Sequence, residues 1–135
     1  MIAVFIDTWY LIAITNPRDD WHEHAKELSN KIGFNRLVTS EGVLTEYLNF
    51  FSKYGKNARA AAISSVRKLQ SSKQIEVIPQ DHYYFMKALE LYDGRSDKDY
   101  SLTDCFSMVI MKEKNIKAVA TKDYGFRQEG FEEFM

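Results

Sequence analysis

The sequence predicts an α/β domain built on a mostly parallel sheet, and three observations carry that prediction. Ile2 to Ile6 places five apolar residues in a row at the N-terminus, three of them β-branched and none alternating with polar residues. That is the pattern of a strand buried on both faces of a parallel sheet. Short strand-like runs then recur at Arg36 to Thr39, Ile75 to Ile78 and Ala118 to Thr121, with helical stretches between them. Strands separated by helices require crossover connections, which is how parallel sheets are built. Finally, 135 residues with 45% hydrophobic and 14% aromatic content suffice for one domain (residues 1–135) with a sizeable core.

The elements follow in order. The first strand meets Asp7, and an apolar stretch without Gly or Pro runs from there to Pro17. At the carboxyl end of a central strand an acid stands where open α/β sheets bind ligands. Asp is also a favoured helix N-cap, and both readings of Asp7 stay open at this point. Asn16, Pro17 and Arg18 break the first helix, and Asp19 or Asp20 can cap a second from about Trp21 to Lys31, ended by Gly33. After the Arg36 to Thr39 strand, Ser40 caps a helix whose apolar residues Val43, Leu44, Tyr47, Leu48 and Phe51 fall at helical spacing, with Glu46 beside them. Gly55 to Asn57 reads as a turn and Ala58 to Leu69 as a helix. Pro79 closes the third strand, Asp81 can cap a helix through Leu91, and Asp93 and Gly94 open a polar loop to Tyr100. Ser101-Leu-Thr-Asp104 is a capping-box pattern that starts a helix to Lys114. Phe126 to Met135 is a tail of undefined type.

Composition narrows the function classes. One cysteine, Cys105, excludes an internal disulfide and a Cys-rich zinc site, so a reducing, cytoplasmic setting is expected. No apolar run approaches the roughly 20 residues of a membrane span, and the N-terminus lacks the basic region and cleavage site of a signal peptide. A net charge of -1 decides little because the charge is unevenly spread. Asp7 and Asp123 each follow a strand, Glu46 lies on the helix after the second strand, and Asp104 opens a helix, so four acids converge on one rim of the sheet. Clustered carboxylates repel unless a cation neutralises them. Ligands that are all oxygen suit a hard ion, Mg²⁺ or Mn²⁺, which can activate water for attack at phosphorus.

The blocks Phe-Ile-Asp7-Thr, Thr-Ser-Glu-Gly-Val-Leu-Thr-Glu46-Tyr-Leu-Asn, Ser101-Leu-Thr-Asp104-Cys-Phe-Ser and Ala-Thr121-Lys-Asp123-Tyr-Gly-Phe126, followed by Gly130-Phe, resemble the PIN domain, closest to VapC-type toxins. The resemblance keeps the order and approximate spacing of all four blocks across almost the whole chain. It implies a three-layer α/β/α sandwich with a small sheet of 4–5 strands. It also implies an Mg²⁺- or Mn²⁺-dependent endoribonuclease, with Asp7, Glu46, Asp104 and Asp123 as metal-binding and catalytic acids and products ending in a 3′-hydroxyl and a 5′-phosphate. Asp99 matches an extra acid ahead of the Ser101 helix start, and Thr121 a hydroxyl that orders the last acid or a bound water. Lys122-Asp123-Tyr124 departs from relatives that carry His or Arg soon after the acid, which puts phosphate contacts there in doubt. Relatives are toxins that form homodimers and are silenced by an antitoxin protein. Alternatives are a housekeeping RNA-processing nuclease of the same family, or a silent scaffold that binds RNA or protein. The four retained acids speak against the scaffold, and Trp at position 9 against a phosphatase with an aspartyl nucleophile at Asp7.

A second feature is basic. From Lys53 to Lys73 there are six cations (Lys53, Lys56, Arg59, Arg67, Lys68 and Lys73) and no acid. Such a stripe can follow an RNA backbone, suit an acidic partner, or simply be a solvated face. His22 and His24 lie two apart on a helix and share no face, so joint metal ligation is not expected. Cys105 reads as a buried thiol. Trp9, Tyr10, Tyr47, Phe50, Phe51 and Tyr54 read as packing or dimer contacts, although exposed aromatics can stack on bases.

Overall fold

A computed structural model describes residues 2–134. Its sheet has five strands, all parallel, in the order β3-β2-β1-β4-β5. The strands are β1 (Ala3–Ile6), β2 (Arg36–Ser40), β3 (Ile75–Ile78), β4 (Ala118–Ala120) and β5 (Glu132–Glu133). β1 is central, paired through Val4–Leu37 on one side and Val4–Ala118 on the other. Val4, Phe5 and Ile6 are buried on both faces, which is why the run does not alternate.

Helices α1 (Thr8–Thr15) and α2 (His22–Ile32) connect β1 to β2, and α3 (Glu41–Phe51) and α4 (Lys56–Ser71) connect β2 to β3. The chain then crosses back through α5 (His82–Gly94) and α6 (Leu102–Glu113) to β4, and α7 (Gly125–Gln128) leads into β5. Because such crossovers are right-handed, the reversal of direction after β3 places helices on both faces of the sheet. The strand order reverses beside β1, between β1 and β4, and that switch point opens a crevice at the strands' carboxyl ends.

Three caps behave as their residues dictate. The hydroxyl of Ser40 accepts from the Val43 N–H at 3.1 Å, and the Asp81 carboxylate accepts from the Tyr84 N–H at 2.9 Å. Ser101 and Asp104 form a reciprocal box, both bonds being 3.0 Å.

Several boundaries differ from the sequence expectation. Neither Asp19 nor Asp20 is the N-cap of α2; that position is Trp21, and the Asp19 carboxylate accepts from the Trp21 N–H at 2.9 Å. The turn expected at Gly55 to Asn57 is shorter, because α4 begins at Lys56 with Gly55 at positive φ as its N-cap. α5 runs on to Gly94, three residues past Leu91, so the loop to Tyr100 starts at Arg95 and not at Asp93. The undefined tail contributes α7 and the fifth strand, while Met135 lies outside the described residues. Among the described residues no helix is long and apolar enough to cross a membrane.

Candidate active site

Asp7, Glu46, Asp104 and Asp123 all line one cleft of about 710 Å³ at the switch point, together with Thr8, Trp9, Ile12, Phe50, Ser101, Lys122 and Tyr124. Each acid arrives by a different route. Asp7 is the residue after β1, where its backbone N–H donates to the Ala120 carbonyl at 3.3 Å. Asp123 follows β4 through Thr121, Glu46 stands on the second turn of α3, and Asp104 is in the first turn of α6.

The two roles considered for Asp7 separate here. It occupies the N-cap position of α1 but makes no side-chain cap bond. Its carboxylate Oδ2 instead accepts from the Thr121 hydroxyl at 2.7 Å, and the same hydroxyl accepts from the Asp123 N–H at 2.9 Å. Thr121, itself buried, thus ties the ends of the two central strands to one another. Asp123 is held further by the Gly125 N–H, which donates to Oδ1 at 2.9 Å.

Charge is concentrated and poorly solvated. Burial pushes Asp7 up to about 6; the Thr121 hydroxyl and Thr8 backbone pull against that, while Glu46 and Asp123 add to it. Burial also pushes Asp104 up to about 7, opposed by the Ser101 N–H and reinforced by the neighbouring charges of Asp123 and Asp7. Asp7 and Asp104 in this setting favour either bound protons or a cation.

The donor set fits a hard divalent ion: it is all oxygen, and the Thr8 hydroxyl is buried among it without a hydrogen-bond partner. The side chains are not gathered around one point, however. Among the described residues no three Asp, Glu, His or Cys groups are clustered tightly enough to hold an ion.

The remaining sequence candidates fall into distinct places. Ser101 lines the cleft as the cap that orients Asp104. Asp99 is exposed and lines an adjoining cavity with Asp97, Lys98 and Tyr124, sharing Asp123 with the acidic cleft. Of the basic stripe, Lys53, Lys56, Arg59, Arg67 and Lys68 are exposed and none lines the cleft. Arg59 donates to the Ser52 carbonyl, and Lys68 borders an apolar groove with Tyr10, Leu11 and Leu69. Cys105 is buried, and burial pushes its thiol up to about 11. His22 Nδ1 contacts the Ala13 carbonyl at 2.7 Å, which pins α2 to α1.

Sequence reasoning missed the cation in the cleft. Lys122 projects over the rings of Trp9 and Trp21, its Nζ lying 5.7 and 5.5 Å from their centroids. It also missed Glu129, which accepts from Arg95, Tyr100 and Lys112 behind the site. Neither left a signal in the sequence, because each meets its partners across long stretches of chain.

A PIN domain family model matches residues 4–132. Among solved structures, that of Mycobacterium tuberculosis VapC20, described as a sarcin-ricin loop cleaving toxin, superposes with TM-score 0.84 at 24% identity, covering 95% of each chain. FitAcB from Neisseria gonorrhoeae superposes with TM-score 0.66 at 15% identity, covering 98% of this chain and 96% of that one. VapBC2 from Rickettsia felis, solved bound to a DNA fragment from its promoter, does so with TM-score 0.64 at 18% identity and the same coverage. Identities this low speak to a shared fold. A search of curated proteins finds no match.

Proposed function

The chain belongs to the PIN domain family, and from that premise we propose that it is an Mg²⁺- or Mn²⁺-dependent endoribonuclease acting as the toxin of a toxin–antitoxin pair. The observation that carries the reading is the convergence of Asp7, Glu46, Asp104 and Asp123 on one cleft. The toxin role rests on the likeness to VapC20 and to the FitAcB and VapBC2 assemblies, and implies an antitoxin partner and a homodimer.

Bound at these carboxylates, a divalent ion would supply an acidified water and neutralise charge building up at the phosphorus. The chain's own residues prepare that site. Thr121 holds Asp7 and the backbone of Asp123 in register, and the Ser101–Asp104 box aims Asp104 from the α6 N-terminus. Lys122, the one Lys or His among the described residues that line the cleft, is held against Trp9 and Trp21, so proton removal would fall to the carboxylates.

The direct test is cleavage of RNA by the purified protein with Mn²⁺ or Mg²⁺, set against EDTA. Cleavage that EDTA abolishes supports the reading, and cleavage that survives chelation sinks it. Thr121 supplies a finer test, because Thr121→Val keeps the shape while removing the donor to Asp7 and the acceptor for Asp123. Outer partners of metal ligands typically matter about 10- to 100-fold. Mn²⁺ affinity by calorimetry is expected to fall by that factor; an unchanged affinity would remove Thr121 from the site's support.

A further inference from the structure

A phosphodiester entering this cleft meets five carboxylates, Asp19 lining it beside the four acids already described, so something in the cleft must attract it. Among the described residues lining the cleft, Lys122 is the one Lys or Arg. It sits next to Asp123, yet forms no ion pair within 4.0 Å among the described residues. Its ammonium is held instead against the aromatic faces of Trp9 and Trp21, at 5.7 and 5.5 Å. Cation–π attraction of this kind keeps the charge at the wall and stops it collapsing onto the acids.

The wall is built before any ligand arrives. Trp9 and Trp21 pack edge to face, with centroids 6.0 Å apart and planes at 79°, and His24 packs against both rings. Asp19 accepts from the Trp21 backbone within the connection, and His22 ties the start of α2 to Ala13 of α1, so the helices cannot slide without breaking the His22 contact. Trp9 is half-buried and lines the cleft; Trp21 extends the wall outward and is 44% exposed. A large, rigid, exposed indole beside a free ammonium is the pairing that single-stranded nucleic acid uses, the base stacking and the phosphate pairing with charge.

We propose that Trp21 and Lys122, braced by Trp9, form a seat for one unpaired nucleotide: Trp21 stacks the base and Lys122 contacts a phosphate beside the scissile one. Because an indole can stack only on a base that has left its helix, the seat selects single-stranded segments or loops over duplex RNA. This inference rests on the proposed nuclease reading and assigns Trp21 and Lys122 of this chain to holding the nucleotide beside the scissile phosphate.

Trp9 and Trp21 are the chain's two tryptophans, so all tryptophan fluorescence reports on the wall. The test titrates full-length protein in EDTA with a short single-stranded oligoribonucleotide, and separately with the same strand annealed to its complement. Quenching is expected with the single strand, and the duplex is expected to bind about tenfold more weakly. Trp21→Ala, followed by anisotropy of a labelled strand, is expected to weaken single-strand binding about tenfold and to erase the preference over duplex, with Trp21→Phe retaining most of it. Lys122→Met is expected to weaken binding and to reduce the salt dependence by about one phosphate contact. The melting temperature shift caused by Mn²⁺ without RNA should be the same in the wild type and both Trp21 variants, which confirms that they fold and keep the acid site, and the metal-free melt of Lys122→Met shows that it folds. Equal affinity for single strand and duplex, or variants that bind as the wild type does, overturns the seat. That failure is separable from failure of the nuclease reading, which shows as absent Mn²⁺-dependent cleavage whatever the binding result.

Discussion

Asp7→Asn is expected to abolish metal-dependent RNA cleavage and, in the same protein, to raise the melting temperature of the metal-free form at pH 8. The two effects have one cause. Asp7 is 4% exposed, and burial holds its carboxyl at about 6 against an ordinary 3.8. A carboxylate whose folded value lies above its unfolded value binds protons more tightly in the folded state. Stability from this group therefore declines as pH rises from about 4 through about 6, and the penalty stays constant above that. A rise of about two units corresponds to about 3 kcal/mol. Asparagine carries no charge, and its amide oxygen still accepts from Thr121, so the penalty is removed and the hydrogen bond kept. For a chain of this length the gain is on the order of 5 to 10 °C at pH 8, and it shrinks toward zero at pH 4, where Asp7 is protonated in the wild type. Mn²⁺ should reverse the ranking by stabilising the wild type and leaving the variant unmoved. A thermal melt at both pH values, with and without Mn²⁺, reads all of this. A variant that melts below the wild type at pH 8 without metal would contradict the burial argument, and a variant that still cuts RNA would contradict the role of Asp7.

The same physics explains what could be read from the sequence. β1 was legible because burial on both faces leaves an unbroken apolar run, and the starts of α3, α5 and α6 because Ser40, Asp81 and Ser101 cap them through side chains three residues away. Local bonds leave local signals. β5 left none: it is two residues, Glu132 and Glu133, held in place by pairing with β4 from a distance. Trp21 displaced Asp19 as the cap of α2 because Asp19 uses its carboxylate one turn earlier. In the site, Asp7, Asp104 and Asp123 were visible because they sit at strand ends or a helix start, positions that topology brings together, and Glu46 because it lies on the helix after the second strand. The wall was not, since Lys122 meets Trp9 and Trp21 across about a hundred residues of chain, and each taken alone reads as packing or as a solvated charge.

Glu129 carries the second large effect, opposite in sign to that of Asp7. Its side chain is 7% exposed and accepts from Arg95 Nε and Nη2, both at 2.9 Å, from the Tyr100 hydroxyl at 3.0 Å and from Lys112 Nζ at 3.2 Å. The Arg95 bonds, with Lys112 and Tyr100 assisting, outweigh burial and hold the carboxyl at about 2. A lowered value means that the contribution is present above the ordinary 4.5 and is lost as pH falls through about 2. Glu129→Gln cannot satisfy the Arg95 fork, and hydrogen bonds to charged groups are worth about 1.5 to 3 kcal/mol. A loss of about 2 kcal/mol at pH 7 is expected in denaturant unfolding, fading as the acid limit is approached. The damage should also reach the cleft. Tyr100 packs against Gly125, where an added Cβ would stand 2.9 Å from the ring and 3.2 Å from Asp123 Oδ1, so a shifted ring disturbs the turn that holds Asp123. Cleavage should therefore fall along with stability in Glu129→Gln, whereas in Asp7→Asn cleavage falls as metal-free stability rises. Between them the two groups place the maximum of their combined contribution near pH 4 to 4.5. A wild-type stability profile that instead climbs from pH 5 to pH 8 without metal would show that the cleft carboxylates are relieved by something other than protons.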